Sequence, residues 1–408
     1  MLQTYKALRG STSEVGKEFA GRGARLYKPA MSEHPATAFR WLRSGDEAFP
    51  AMLRAIDSAG ESVRLEMYIF SASPLGDRFR DALVRAAQRG ARVQVMLDAF
   101  GSFPLSESYW DVLTEAGGQF RWFNPLAFGR MLYRDHRKIL VCDGRTAFVG
   151  GLNIAPEYEG DGVERGWRDL GIEIHGALAR ELAECFDASF ELADAPHKPL
   201  QRLRKATARA TTSAESWRLL LSGPGRGYNF LKRTLANDLA NAKDVRIVAA
   251  YFLPTWKIRR ELERVTRRGG RVQLVLAGKS DVRLSQRASH RLYTPLMRRG
   301  VEIYEYQPQI LHAKLFLIDE QVYVGSSNLD ARSLNINYEL LVRITDPPAV
   351  TEARAIFAEI LGHCRRIEPA RWRKSRSLWT KLLEDWAHFF LARVDPYLAR
   401  RNLGRWKP

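Results

Sequence analysis

The strongest constraint on the fold is that the second half of the chain repeats the first. Residues 89–102 read RGARVQVMLDAFGS and residues 268–281 read RGGRVQLVLAGKSD, each a helix end with glycine followed by an apolar strand. Four blocks of the first half recur in the same order in the second half. Residues 44–70 match 222–254, residues 89–102 match 268–281, residues 113–123 match 296–306, and residues 136–143 match 312–319. This shared order indicates a duplicated domain.

Helices and strands alternate within each half, which predicts an α/β fold with helices on both faces of a mostly parallel sheet. Between the halves lies a stretch rich in Arg, Lys, Thr and Ser, typical of a linker or a long surface connection. The predicted organisation is an N-terminal extension (1–40), a first half (41–195), a basic linker (196–216), a second half (217–364) and a basic C-terminal tail (365–408).

Charge and cysteine content narrow the class of protein. The chain has 408 residues, with 64 Lys plus Arg against 46 Asp plus Glu, a formal charge of +18. This charge favours nucleic acid or acidic lipid head groups as partners, or reflects a generally basic surface. Three widely spaced cysteines disfavour a disulfide framework or a zinc site. No run approaches the roughly 20 apolar residues that span a bilayer, so we expect membrane contact to be peripheral.

The last repeated block carries a charged pair at its head. In a strand, side chains alternate between faces, so His136 and Lys138 point the same way, as do His312 and Lys314. A single histidine in a strand is usually a hydrogen-bonded core residue. A second copy at the matching place of a repeat favours a functional pair instead.

Small residues follow each pair on a returning arm. After a turn at Asp143 the chain brings Gly151 and Asn153 back beside His136, and the second copy returns Ser326 and Asn328. Small side chains allow close approach, and the Asn amides donate hydrogen bonds, so the group suits a tetrahedral phosphate. The second arm is one residue shorter, which we attribute to a tighter turn at residues 320–321.

These motifs, H-x-K-x4-D followed by G-[GS]-x-N and present twice, resemble those of the phospholipase D superfamily. The resemblance covers roughly residues 41–364, and block order, length and the element GSSNLDARSLNINYE are most similar to the bacterial cardiolipin synthase B group. It implies two αβα sandwich halves related by a pseudo-twofold axis, with the active site between them.

The resemblance also implies roles for the motif residues. One histidine per half would serve a covalent phosphohistidine mechanism, with His136 as nucleophile and His312 as acid and base. Lys138, Lys314, Asn153 and Asn328 would hold the phosphate oxygens, so that no metal or other cofactor is needed. In the family a carboxylate further along each half orients its histidine, and the matching positions are Asp169 and Glu339.

Three acidic residues keep two interpretations each. Asp143 and Asp319 complete the family motif, but they fall on the strand face opposite the His-Lys pairs, so they either brace the hairpin or are simple turn residues. Glu66, in the middle of the strand LEMYIF, either lines the site or forms a buried salt bridge that serves the fold.

Two segments are candidates for lipid contact. The tail carries an apolar helical stripe among basic residues, which predicts a helix lying in the bilayer interface or one docked on the core. Its members are Trp379, Leu382, Leu383, Trp386, Phe389, Phe390 and Val394. Residues 124–136, just before the first motif, read NPLAFGRMLYRDH and predict either a hydrophobic lip for acyl chains or a packed loop.

Three function classes compete. The first is a phosphatidyltransferase that makes cardiolipin from phosphatidylglycerol and a second phospholipid, working at the cytoplasmic face of a bacterial membrane. The second is a hydrolase of the same superfamily, a phospholipase D or a nuclease. The third is a nucleic-acid-binding module, which two intact His-Lys pairs disfavour, since binding alone does not need them. Lipid substrates are favoured, and the oligomeric state is left open.

Overall fold

A computed structural model describes residues 37–124, 133–193, 216–224 and 229–395. Nearly all of the predicted N-terminal extension and linker lies outside these ranges. So do residues 125–132, which contain most of the predicted hydrophobic lip. Its remaining apolar residue, Tyr133, is buried.

The first half forms one sheet with helices on its faces. The strands are β1 (Ala38–Leu42), β2 (Ser62–Met67), β3 (Arg92–Asp98), β4 (Gln119–Phe123), β5 (Ile139–Cys142), β6 (Thr146–Gly150) and β7 (Gly171–His175). The helices are α1 (Gly45–Ser58), α2 (Pro74–Gln88), α3 (Asp111–Glu115) and α4 (Ala177–Phe190). The strand order is β1-β7-β6-β5-β2-β3-β4.

The second half repeats this arrangement. Its strands are β8 (Trp217–Ser222), β9 (Asp244–Ala249), β10 (Arg271–Ala277), β11 (Glu302–Tyr306), β12 (Lys314–Ile318), β13 (Gln321–Gly325), β14 (Glu339–Ile344) and β15 (Cys364–Arg366). The helices are α5 (Phe230–Asn241), α6 (Trp256–Arg267), α7 (Arg283–Met297) and α8 (Pro347–Gly362). The strand order, β15-β11-β10-β9-β12-β13-β14-β8, matches that of the first sheet apart from the added β15.

Local sequence signals explain where helices begin. The Ser73 side chain accepts a hydrogen bond from the backbone N–H of Gly76 at 3.2 Å, and Pro74 follows it at the start of α2. Asp346 does the same for α8, accepting from the N–H of Ala349 at 3.1 Å before a pair of prolines. These caps fix the points at which the chain leaves a sheet and covers its face.

The prediction of mostly parallel sheets is wrong. Within the described residues, only the pairs β2–β3 and β3–β4 in the first sheet, and β9–β10 and β10–β11 in the second, are parallel. The other pairs are antiparallel. Two of them, β5–β6 and β12–β13, arise because the strand after each His-Lys pair turns back through a tight hairpin and not through a crossover helix.

A central apolar layer is shared by the two halves, and an outer layer covers each sheet separately. One face of each sheet contributes to a shared core, where Val141 and Ile172 of the first half lie in one cluster with Leu315 and Val342 of the second. Helices α4 and α8 belong to this central layer. The outer faces are covered separately, by α1 and α2 on the first sheet and by α5, α6 and α7 on the second. The predicted duplicated α/β fold is confirmed, with each sheet covered on both faces.

The C-terminal tail forms α9 (Pro369–Lys374), α10 (Leu378–Phe389) and a π-helical turn (Phe390–Val394). Helix α10 packs against α7, with Ala387 fully buried and Asp385 paired with Arg291 of α7. The buried Glu384 pairs with Arg376, just before α10, at 3.3 Å. Its large apolar side chains point outward: Leu378, Trp379, Leu382, Trp386 and Phe389 are 58 to 81% exposed. The helix is therefore docked on the core, yet most of its predicted stripe faces solvent. Among the described residues, no helix is long and apolar enough to cross a membrane.

Candidate active site

The two predicted histidines lie where the halves meet. The backbone N–H of His136 donates to the carbonyl of Tyr338 in the second half at 3.0 Å. The N–H of His312 donates in turn to the carbonyl of Arg168 in the first half at 2.8 Å. Each His-Lys segment is thus braced by a loop of the opposite half. Both histidines are buried, as strand ends at an interface between two sheets should be.

A buried carboxylate holds each imidazole. Nδ1 of His136 lies 3.1 Å from Oε2 of Glu339, and Nδ1 of His312 lies 2.6 Å from Oδ2 of Asp169. The pairing is crossed, because each carboxylate reaches the histidine of the other half. The prediction that a carboxylate orients the histidine of its own half is therefore wrong, since pairing depends on how the halves dock. The carboxylates themselves match the predicted positions and are fully buried.

These contacts set the tautomer of each ring. When Nδ1 carries the hydrogen and donates it to a carboxylate, Nε2 keeps its lone pair. Nζ of Lys314 also lies 2.7 Å from Nδ1 of His312, but an ammonium cannot accept that hydrogen, so we assign it to Asp169. Burial lowers the pKa of His136 and lowers the pKa of His312 to about 4. Without substrate, both imidazoles are neutral at pH 7, and a neutral imidazole is nucleophilic.

Two buried lysines face the same space. Nζ of Lys138 donates to the carbonyl of His136 at 2.6 Å, and Lys314 makes the same contact with His312. Burial lowers the pKa values of both lysines. For Lys138, burial and the charge of Lys314 together lower the pKa to about 7. Two ammonium groups that repel each other in a buried space favour an anion between them.

This pair of lysines predicts how anion binding depends on pH. Because the pKa of Lys138 is about 7, the free site holds its full positive charge only below that pH. We expect sulfate to bind most tightly near pH 6, and its affinity to fall by up to about tenfold per pH unit above pH 7. Calorimetry over this pH range measures the effect. Lys138→Met should weaken sulfate binding and flatten its pH dependence, and an unchanged profile in this variant would contradict the assignment.

The small residues of the returning arms lie behind the histidines. A side chain at position 151 would overlap the Asp169 carboxylate, with its Cβ 2.2 Å from Oδ1, so Gly151 makes room for that group. Oγ of Ser326 donates to Oε2 of Glu339 at 2.5 Å. Both residues therefore hold the carboxylates in place. Their direct contact with phosphate stays a prediction.

The two asparagines differ in their surroundings. Oδ1 of Asn153 accepts from the N–H of Ile69 at 3.1 Å, and its Nδ2 donates to the Tyr158 hydroxyl at 2.7 Å. The ring of Tyr158 lies edge-on to His312 at 5.3 Å, which ties Asn153 to the site. Oδ1 of Asn328 is buried and has no hydrogen-bond partner within the described ranges. This oxygen can accept a hydrogen bond from a donor group of a ligand.

The motif aspartates lie away from the histidines. Asp143 accepts hydrogen bonds from the N–H groups of residues 60, 61 and 62 at 2.8 to 3.1 Å, and Asp319 accepts from those of residues 243 and 244. Seven residues of extended chain, roughly 23 Å, separate each from its histidine. Although they complete the family motif, their position away from the histidines favours the bracing interpretation over a part in catalysis.

The shorter turn of the second hairpin directly follows Ile318. In the second copy Ile318 pairs with Gln321, which leaves only Asp319 and Glu320 in the turn. The first copy has three turn residues between Cys142 and Thr146. The predicted turn at residues 320–321 is therefore one residue late, since Gln321 already belongs to β13. The difference is absorbed at the far end and does not disturb the His-Lys pair.

Glu66 forms the buried ion pair that was one of its two interpretations. Its Oε1 lies 2.7 Å from Nε of Arg137, which also lies 3.0 Å from Oδ1 of Asp135. Burial raises the pKa of Glu66 well above its usual range. Because Arg137 and Asp135 lie on the two sides of His136 in the chain, this ion pair also braces the segment that carries the histidine.

Aromatic rings around the histidines were not predicted. The ring of Tyr68 lies 4.8 Å from His136, and Trp167 lies 5.7 Å from His312, with Tyr251 on a third side at 6.3 Å. Tyr68 lies in the same strand segment as Glu66, and Tyr251 lies in the matching segment of the repeat. The repeat alignment was the signal that could have found them. Within the described part of the chain, no cluster of three or more His, Cys, Asp or Glu could hold a metal.

Comparison with known proteins agrees with this geometry. The family model described as "Cardiolipin synthase, PLD-like domain" matches residues 52–191 and 235–361. Cardiolipin synthase B of Salmonella typhimurium is 31% identical over 363 residues, which cover 86% of each chain. Cardiolipin synthase 1 of Bacillus anthracis is 29% identical over 375 residues, 89% of this chain and 73% of that protein.

A solved structure supports the fold. Phosphatidylserine synthase from Haemophilus influenzae superimposes with a TM-score of 0.71 over 88% of this chain and 94% of that one, at 14% identity. Polyphosphate kinase from Porphyromonas gingivalis matches with a TM-score of 0.55 at 13% identity, over 91% of this chain and 53% of that one. At such identities the likeness concerns the fold alone. The matched family model and the relatives together show that the chain belongs to the cardiolipin synthase family of phospholipase D-like proteins.

Proposed function

We propose that this protein is a phosphatidyltransferase that joins phosphatidylglycerol to a second phospholipid and releases the head-group alcohol, forming cardiolipin. The observation that carries the proposal is the site itself. Two neutral imidazoles, each held by a carboxylate from the opposite half, meet two buried lysines between the sheets. A site with paired imidazoles and paired cations suits transfer of a phosphodiester in two steps.

In the first step, Nε2 of one imidazole attacks phosphorus. A phosphorus–nitrogen bond forms, the bond to the head-group oxygen breaks, and the other histidine, protonated once the anionic phosphate is bound, gives its proton to the leaving alkoxide. The family resemblance assigns the attack to His136 and the proton transfer to His312. Neutral and protonated forms are both accessible because the substrate's negative charge raises an imidazole pKa that burial lowers.

In the second step, the hydroxyl of the second lipid attacks the phosphohistidine. The same imidazole that gave the proton now takes one from this hydroxyl, a new phosphorus–oxygen bond forms and the phosphorus–nitrogen bond breaks. Lys138 and Lys314 would hold the non-bridging oxygens, where charge builds in the transition state, with the Asn153 and Asn328 amides beside them. These cations supply the charge that a metal would, so the proposal needs no metal.

The products of a vesicle assay test this proposal. Purified protein is incubated with phosphatidylglycerol vesicles, and lipids and released alcohol are identified by mass. Cardiolipin and glycerol in equal amounts are expected, with EDTA present or absent. Phosphatidic acid without cardiolipin would overturn transfer and assign the protein to the hydrolases of the superfamily. Loss of activity in EDTA would contradict the metal-independent mechanism.

We propose a peripheral place on a bacterial membrane, at its cytoplasmic face, and the tail helix supports the contact with the bilayer. Trp379, Leu382 and Trp386 lie on the outer side of α10, and exposed Lys381 and Arg373 lie near them in the chain. Exposed tryptophan and leucine beside basic residues are typical of helices that lie in the interface of an anionic bilayer.

We expect Trp379→Ser combined with Trp386→Ser to weaken binding to vesicles that contain phosphatidylglycerol by about tenfold or more, because two aromatic anchors are lost. Sedimentation of protein with vesicles measures the effect. Both side chains are more than half exposed, so the fold should tolerate the change. Trp256→Ser, at the exposed start of α6, is the matched control. Equal loss of binding in the control would count against a specific role for α10.

A further inference from the structure

The duplicated site carries two arginines that its repeat does not contain. Arg134 stands two residues before His136, and the matching position of the second half is Ile310. Arg332 follows the second motif, and the matching position of the first half is Glu157. Each arginine occurs in only one of the two copies of its position, so the duplicated fold itself does not require it. They make one side of a symmetric site basic.

The two arginines are connected to His136 through its aromatic neighbour. Arg134 and His136 are two apart in an extended segment, so their side chains leave the backbone on the same side, with their Cα atoms roughly 7 Å apart. The ring of Tyr68 contacts His136, and the charges of Arg134 and Arg332 both act on the Tyr68 hydroxyl, where they oppose the effect of burial on its pKa. Tyr68 therefore links both guanidinium groups to the catalytic histidine.

One guanidinium group of this cluster is not fully paired. Nη1 of Arg134 is buried and has no hydrogen-bond partner among the described residues, while its guanidinium stacks on the ring of Phe100. Arg332 donates to Asp395 at 2.6 Å. The nearby Asp98 carboxylate is occupied by backbone N–H groups, and burial raises its pKa to about 7, so it is only partly charged at neutral pH. A buried guanidinium nitrogen without a partner favours an anionic ligand.

We propose that Arg134 and Arg332 bind the phosphate of the acceptor lipid, the one that does not react. This inference rests on the proposed function. Cardiolipin contains two phosphates joined by glycerol, and the His-Lys pairs serve only the one that is transferred. The second remains an anion beside a buried site and needs its own counter-charge.

A competition between two soluble acceptors isolates the contribution of this phosphate. Phosphatidylglycerol vesicles serve as donor, and isotopically labelled glycerol and labelled glycerol 3-phosphate are supplied together. Mass spectrometry gives the ratio of labelled phosphatidylglycerol phosphate to labelled phosphatidylglycerol. We expect Arg134→Gln to lower this ratio about tenfold or more, since charged hydrogen bonds to the phosphate are lost, while glycerol is still transferred. Arg134→Lys should retain most of the preference.

Controls separate the possible failures. Arg145→Gln removes an exposed arginine paired with Glu61 at the far end of the hairpin, and it should leave the ratio unchanged. An unchanged ratio in Arg134→Gln, with normal release of head-group glycerol, would overturn the acceptor subsite and leave the proposed function standing. No release of glycerol by the unaltered protein would overturn the proposed function and the subsite with it.

Discussion

His136→Ala and His312→Ala each lower the rate of cardiolipin formation by about 10³-fold or more. One variant loses the group that attacks phosphorus, and the other loses the group that moves the proton, and each role contributes factors of this order. Both side chains are buried, so circular dichroism and thermal melting should accompany the rate measurement. His175→Ala is the matched control, because His175 also lies in a strand but is half exposed and pairs with Glu173, at 3.0 Å, and not with Asp169 or Glu339.

A donor with a good leaving group separates the two roles. Phosphatidyl-p-nitrophenol releases its phenolate without help from an acid, so the variant that lacks only the acid should still give a burst of p-nitrophenol. With His136 as nucleophile, the burst survives in His312→Ala and is absent from His136→Ala. The reverse pattern would exchange the two roles. A normal transfer rate in either variant would contradict the paired-histidine mechanism.

Asp169→Asn and Glu339→Gln should each lower the transfer rate by about 10²-fold to 10⁴-fold, with little change in lipid binding. Each carboxylate fixes the Nδ1–H tautomer of the opposite histidine, and an amide can present its donor to Nδ1 and leave the reactive nitrogen wrongly protonated. Steady-state rates over a range of vesicle concentrations distinguish a loss of turnover from a loss of binding.

The control for these variants is a carboxylate at the other end of the hairpin. Asp143→Asn should leave the rate per folded molecule unchanged, because the Asp143 carboxylate accepts from backbone N–H groups of residues 60–62 at the far end of the hairpin. It should lower the free energy of unfolding by about 1–3 kcal/mol. These hydrogen bonds hold the pKa of Asp143 below its usual range, so their contribution is present at neutral pH and is lost as the pH falls through that pKa. A rate loss in Asp143→Asn as large as in Asp169→Asn would contradict this division.

The sequence predicted the features that depend on local pattern and repetition. The duplicated α/β fold and the membership of the family are confirmed, because four ordered blocks and two spaced motifs are independent signals. The matching positions of Asp169 and Glu339 were predicted too, and the structure places both at the imidazoles.

The features that the sequence did not predict depend on distant contacts. The crossed pairing of carboxylates and histidines follows from docking of two sheets, which no local pattern encodes. The alternation of helices and strands suggested parallel strands throughout each half. It does not hold at the hairpins, where consecutive strands pair in opposite directions without a crossover helix. Burial of apolar side chains would favour an orientation of α10 with its tryptophans inward. In the structure the tryptophans point outward, and Glu384, paired with Arg376, lies on the inner side.

The crossed carboxylates make the two halves mutually dependent. The first half supplies His136 and the carboxylate that holds His312. The second half supplies His312 and the carboxylate that holds His136, so neither half contains a complete pair of imidazole and carboxylate. A substitution at Asp169 is felt at His312, and one at Glu339 is felt at His136. After duplication, such a chain cannot let one copy decay while the other keeps the chemistry. Selection must preserve both as the two subunits of a dimer joined in a single polypeptide.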